Sequence, residues 1–186
     1  MGVMNKLQHI YTQRNKRQGF TIVELLIVVV VIGILAAIVI VSYNGITQSA
    51  NATAIADSFK KFEKAMRLYA TSQSWGSWPI DNTIMGSSNP NVANLINSAP
   101  GFSNYMQSPP DVAGIDPSYW RYDNDGDTYN GCGTGGSGTN VFISSLPDTA
   151  LATKVDEILD DGNTACGRLR YSGTALVFSL SNDGSF

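Results

Sequence analysis

Phe20-Thr21-Ile22-Val23-Glu24-Leu25-Leu26-Ile27-Val28-Val29-Val30-Val31-Ile32-Gly33-Ile34-Leu35-Ala36-Ala37-Ile38-Val39-Ile40-Val41 is a run of 22 residues with a single charged side chain, Glu24. As a helix it would be about 33 Å long at ~1.5 Å per residue, enough to cross the hydrocarbon core of a bilayer. The flanking charges orient it. Lys6, Arg14, Lys16 and Arg17 precede it, and no Lys or Arg follows until Lys60. Positive charge stays on the cytoplasmic side, so the N-terminus is expected inside the cell and everything after Val41 outside.

Two features separate this run from an ordinary secretory signal. The 19 residues before it are polar and basic, whereas a conventional cleavage site follows the apolar stretch. Ala36 and Ala37 are small enough for such a site, but more apolar sequence follows them at once. The second feature is Glu24 itself. An acid inside a membrane segment is costly and marks a functional position by default; the plain alternative is that Glu24 lies near the cytoplasmic edge and snorkels to water.

Arg17-Gln18-Gly19-Phe20-Thr21-Ile22-Val23-Glu24-Leu25 resembles the processing motif of type IV prepilins and pseudopilins. The basic leader, the glycine, the phenylalanine, the acid and the apolar run all occur in register. The resemblance implies that a membrane prepilin peptidase cuts after Gly19 and then methylates the new α-amine of Phe20. It also implies a role for Glu24, the fifth residue counted from Phe20. The Glu24 carboxylate of one subunit would pair with the Phe20 amine of a neighbour in a growing filament. Two charges that are each unfavourable in an apolar setting become tolerable when they meet, so the pair sets register more than it adds stability.

The helical pattern continues beyond the apolar run. Gly33 and Gly45 are weak points, each costing roughly 1 kcal/mol relative to alanine in a helix interior. Many pilins carry a helix-breaking proline near the position of Val41, which this chain lacks, so any melting on assembly would fall to the glycines. Ile55, Phe59, Phe62, Met66 and Tyr69 form one apolar stripe with charged residues between them, as expected of a helix packed on a core. The whole helix, from Phe20 to about Ser72, would be roughly 80 Å long. Pro79 blocks its continuation. Trp75 and Trp78 would either form an exposed patch or pin a loop onto the head.

Beyond the helix the chain is rich in Asn, Ser, Gly and Pro. Val92, Leu95 and Ile96 predict a short helix. Residues 119–122 and 140–146 read as strands, 151–159 as an amphipathic helix, and 168–172 with 174–180 as a hairpin about Gly173. The expected fold is therefore α+β: a long N-terminal helix packed on a small antiparallel sheet, the pilin fold. The expected organisation is a leader at 1–19, a membrane and filament-core helix at 20–41, its amphipathic continuation at 42–73, a loop region at 74–118 and a β-sheet head at 119–186.

Composition excludes several chemistries. The only histidine is His9, within the leader. A mature chain starting at Phe20 has none, which removes Ser-His-Asp and Cys-His catalysis and any His-ligated metal. After the leader the chain has 8 basic against 15 acidic residues, no footprint for nucleic acid. Cys132 and Cys166 both fall on the side expected outside, where two cysteines usually form one disulfide. The alternative is two buried free thiols.

Two acidic clusters stand out, and the first is a candidate cation site. Asp123, Asp125 and Asp127 alternate in a turn and can present oxygens to calcium; a solvated Asx-rich turn is the plain alternative. The pattern is not an EF-hand, because Gly126 falls at the fourth position. Asp156, Glu157, Asp160 and Asp161 lead into Gly162, which reads as a glycine-capped helix end. Acids there oppose the helix dipole and call for compensation by Arg168, Arg170 or a cation. The glycines at 131–138 lack the lysine of a phosphate loop. Asn51-Ala52-Thr53 matches a glycosylation acceptor but sits on the packed helix.

The sequence therefore reads as a non-enzymatic structural subunit of an extracellular type IV filament, serving adhesion, surface motility or DNA uptake. It would begin as a cytoplasmic-membrane precursor. Its expected partners are copies of itself, the prepilin peptidase, and the assembly platform with its ATPase. No cofactor is expected apart from calcium at the first acidic cluster. The alternatives are a pseudopilin of a type II secretion-like system and, from another class, a pilin-anchored adhesin or carbohydrate-binding module.

Overall fold

The computed structural model describes residues 19–73, 78–79, 90–124, 138–146 and 148–181. Helix α1 spans Ile22–Ser72. The chain divides into two compact units, Met1–Tyr43 and Asn44–Phe186.

In the first unit α1 begins one residue after Thr21. Every described residue up to position 47 is exposed, and the large apolar side chains from Ile22 to Ile46 are 48–85 % exposed. An 18-residue window of this helix has a mean hydropathy of 3.4 and none of it is buried. Such a surface has no counterpart in a water-soluble monomer.

In the second unit the same helix changes character. Ala52, Ile55, Ala56, Phe59, Phe62, Ala65, Met66, Tyr69 and Ala70 are buried, the stripe that the 3.6-residue period requires. They pack against a four-stranded antiparallel sheet made of β1 (Trp120–Asp123), β2 (Thr139–Ile143), β3 (Leu169–Tyr171) and β4 (Leu176–Ser181). The strand order is β1-β2-β4-β3. Phe59 lies at the centre, with ring centroids 5.1 Å from Trp120 and 5.3 Å from Phe178. Phe62 and Tyr69 extend the aromatic contact to Phe102, at 6.3 Å and 5.4 Å. Trp120, Tyr122, Val141, Ile143, Leu169, Leu176 and Phe178 complete this core.

The alternation of strand residues places a second, polar row on the same four strands. Arg170 Nη2 donates to Ser179 Oγ (2.8 Å), and Ser179 Oγ donates to Asn140 Oδ1 (3.0 Å). Asn140 Nδ2 in turn approaches Asp123 Oδ2 at 3.5 Å. Asp123, Asn140 and Ser179 are buried.

Two shorter helices flank the sheet. Helix α2 spans Val92–Ser98 and is capped by the Asn91 side chain, which accepts from Asn94 N. Helix α3 spans Thr149–Leu159, with Asp148 accepting from Ala150 N and Leu151 N. The hairpin turns at Gly173, where φ is +90°, a conformation that glycine adopts without strain. Outside the strands, Tyr122 N donates to Pro90 O and Tyr171 N to Thr164 O.

Trp78 is only 2 % exposed, so it belongs to the core rather than to a surface patch; Trp75 lies outside the described residues. Cys166 is disulfide-bonded. The one other cysteine of the sequence, Cys132, lies outside the described residues. Cys166→Ser is expected to lower stability by about 2–5 kcal/mol, read as a fall in the urea midpoint that reductant reproduces in the unsubstituted protein.

Candidate functional site in the N-terminal helix

The start of α1 is built by Thr21 and Glu24. Thr21 N and Thr21 Oγ1 both donate to Glu24 Oε2 at 2.8 Å, and Glu24 N donates to Thr21 Oγ1 at 3.2 Å. This is a reciprocal capping box, in which each side chain satisfies the other's backbone N–H. The Thr-x-x-Glu spacing is the sequence signal for it. Glu24 Oε1 accepts no hydrogen bond among the described residues. Gly19 and Phe20 precede the helix in exposed chain without regular secondary structure, and a Cβ on Gly19 would meet nothing within 4 Å. The arrangement is an accessible peptide bond, then an aromatic residue, then a carboxylate one helical turn in, then an uninterrupted apolar surface.

The acidic clusters lie in the head. Asp123 ends β1 and is buried; Asp125 and Asp127 lie outside the described residues. In the second cluster the structure departs from the expected cap. Helix α3 ends at Leu159 with Asp160 as its C-cap, whose N–H donates to Asp156 O at 2.7 Å, and Gly162, at φ +82°, comes two residues after the cap. The Arg168 side chain does not compensate as expected. The Arg168 guanidinium reaches Glu63 on α1 at 3.0 Å and lies over the Phe178 ring at 4.7 Å. The backbone N–H groups of Arg168 (2.5 Å) and Leu169 (3.4 Å) answer Asp160 Oδ2 instead.

Asp156 is fully buried, and neither of its carboxylate oxygens has a hydrogen-bond partner among the described residues. Burial, and then the charges of Asp160, Asp161 and Glu157, push its pKa up to about 6. The sequence carried the signal: Asp156 follows Val155 and lies four residues after Ala152, both buried, so it falls on the inward face of α3.

Residues 14–40 match the model of the prokaryotic N-terminal methylation motif. No curated protein and no solved structure matches the chain. The matched stretch includes Gly19, Phe20 and Glu24 and the first part of α1. The second unit supplies what the motif alone does not: a long helix packed on a small antiparallel sheet. The N-terminal stretch at 14–40 is the class III prepilin signal of type IV pilins and pseudopilins, and the α+β architecture behind it is consistent with the pilin fold.

Proposed function

We propose that the chain is a type IV pilin, made as a cytoplasmic-membrane precursor, cut between Gly19 and Phe20, methylated on the Phe20 amine and assembled into an extracellular filament of its own copies. The observation that carries this reading is the wholly exposed apolar surface of α1 from Ile22 to Val41, interrupted by one acid. Such a surface needs lipid first and other copies of the same helix afterwards. The protein does no catalysis of its own in this reading; the prepilin peptidase acts on it, and the assembly platform and ATPase extract it from the membrane.

Intact-mass analysis tests the processing step. Protein from cells should begin at Phe20 and carry one extra methyl group, and Gly19→Arg should retain the leader. A mature protein that begins at Met1, or one that lacks the apolar run, sinks the reading. Electron microscopy of the same cells separates the two members of the class. A sheared surface fibre composed mainly of this chain supports the pilin. Processed protein that stays in the envelope without a fibre points to a pseudopilus.

A further inference from the structure

One buried group has no part in the reading above. A buried carboxylate normally has at least one partner, and Asp156 has none for either oxygen among the described residues. The charges that act on it are those of further acids, Asp160, Asp161 and Glu157, so a positive charge is the partner it lacks. Asp160 and Asp161 are each fixed through one oxygen. Asp160 Oδ2 accepts from Arg168 N and Leu169 N, and Asp161 Oδ1 accepts from Asn163 N at 2.9 Å. Each keeps a second oxygen that takes no hydrogen bond among the described residues. Gly167 makes the first anchor possible: its φ is +107°, and a Cβ there would lie 2.1 Å from Asp160 Oδ2.

We propose that Asp156, Asp160 and Asp161 bind one calcium ion where α3 ends and the chain turns towards β3. One carboxylate oxygen from each lies within 4.8 Å of the other two. Calcium accepts such a set in flexible geometry, whereas magnesium demands near-ideal octahedral coordination and keeps several of its waters. An all-carboxylate set is hard and suits an oxygen-seeking divalent ion rather than zinc or copper. The ion would answer the buried Asp156 and tie the end of α3 to the segment that carries Cys166. Its residues are other than Asp123, Asp125 and Asp127, the calcium candidates of the sequence.

The test is calorimetric titration of calcium chloride into the full chain in detergent after chelation, with thermal melts in parallel. One ion per chain is expected, at about 10⁻⁴ M or tighter, with a rise in melting temperature. Magnesium should bind at least about tenfold more weakly. Asp156→Asn should weaken calcium binding about a hundredfold and Asp161→Asn about tenfold. In chelator Asp156→Asn should melt no lower than the unsubstituted protein, because the amide removes a buried repulsion. If Asp156→Asn does not fold, the exposed Asp161→Asn decides. The proposal fails if no binding or melting shift is seen at about 10 mM calcium. It fails equally if the Asp156 and Asp161 variants bind as the unsubstituted chain does, or if magnesium binds as well as calcium.

Discussion

Cells carrying Glu24→Ala should make and process the protein yet shed almost no filament. The alanine removes two things at once, and their separation is the useful part of the experiment. It deletes the capping box with Thr21, and it deletes the only charge in the apolar run. Glu24→Gln keeps an acceptor for the Thr21 N–H, since glutamine serves at that position of a capping box, but it removes the charge. Thr21→Ala does the reverse. If the carboxylate meets the Phe20 amine of a neighbouring copy, the glutamine variant should fail to assemble almost as completely as the alanine variant, because the amine is left unanswered in an apolar setting. Thr21→Ala should then retain most assembly. Sheared-filament yield, normalised to mature protein in the membrane, reads all three. Normal fibre from Glu24→Gln would reduce the residue to a helix cap.

Phe59→Ala should lower head stability by about 3–5 kcal/mol, a fall in melting temperature of about 6–20 °C. Phe59 is fully buried and touches both a residue that opens the sheet, Trp120, and one at its middle, Phe178. Through this one side chain α1 reaches both β1 and β4. Truncation forfeits the transfer of the ring from water and leaves a hole between rings too large to close over it. Phe59→Leu should recover roughly half of the loss, as a volume-retaining exchange does. Thermal melts of the full chain in detergent read both variants. A loss below about 1 kcal/mol for the alanine would mean that the sheet is held by other contacts.

How far the sequence foretells this molecule varies with the physical signal. Helix α1 was legible end to end, because an unbroken apolar run and a clean 3.6-residue stripe have few alternative explanations. The expected strands at 119–122 and 140–146 appear as Trp120–Asp123 and Thr139–Ile143, and the hairpin turned at Gly173 as expected. The strand order was not legible, since pairing is decided by contacts far apart in sequence. The buried polar row of Asp123, Asn140 and Ser179 was hidden for the same reason: each residue alone looks like turn or surface chemistry. Arg168 was expected to serve the acids at the end of α3, but Glu63 on α1 competes for it from 105 residues away. At the N-terminus, Glu24 stood out by its charge, while Thr21, its intramolecular partner, did not, because a threonine beside an apolar run attracts no notice.

The outer strands of the sheet bear on what a crowded membrane would do to this protein. A strand border with bare N–H and C=O groups is an invitation to pair with any other chain. Here β3 has three residues and β1 four. On their outer sides, Tyr171 N is spent on Thr164 and Tyr122 N on Pro90, and Asn91 bridges to Arg121. Pairing of heads through these two borders is thereby blunted, so in the filament proposed above the meeting of copies would fall to the greasy rod.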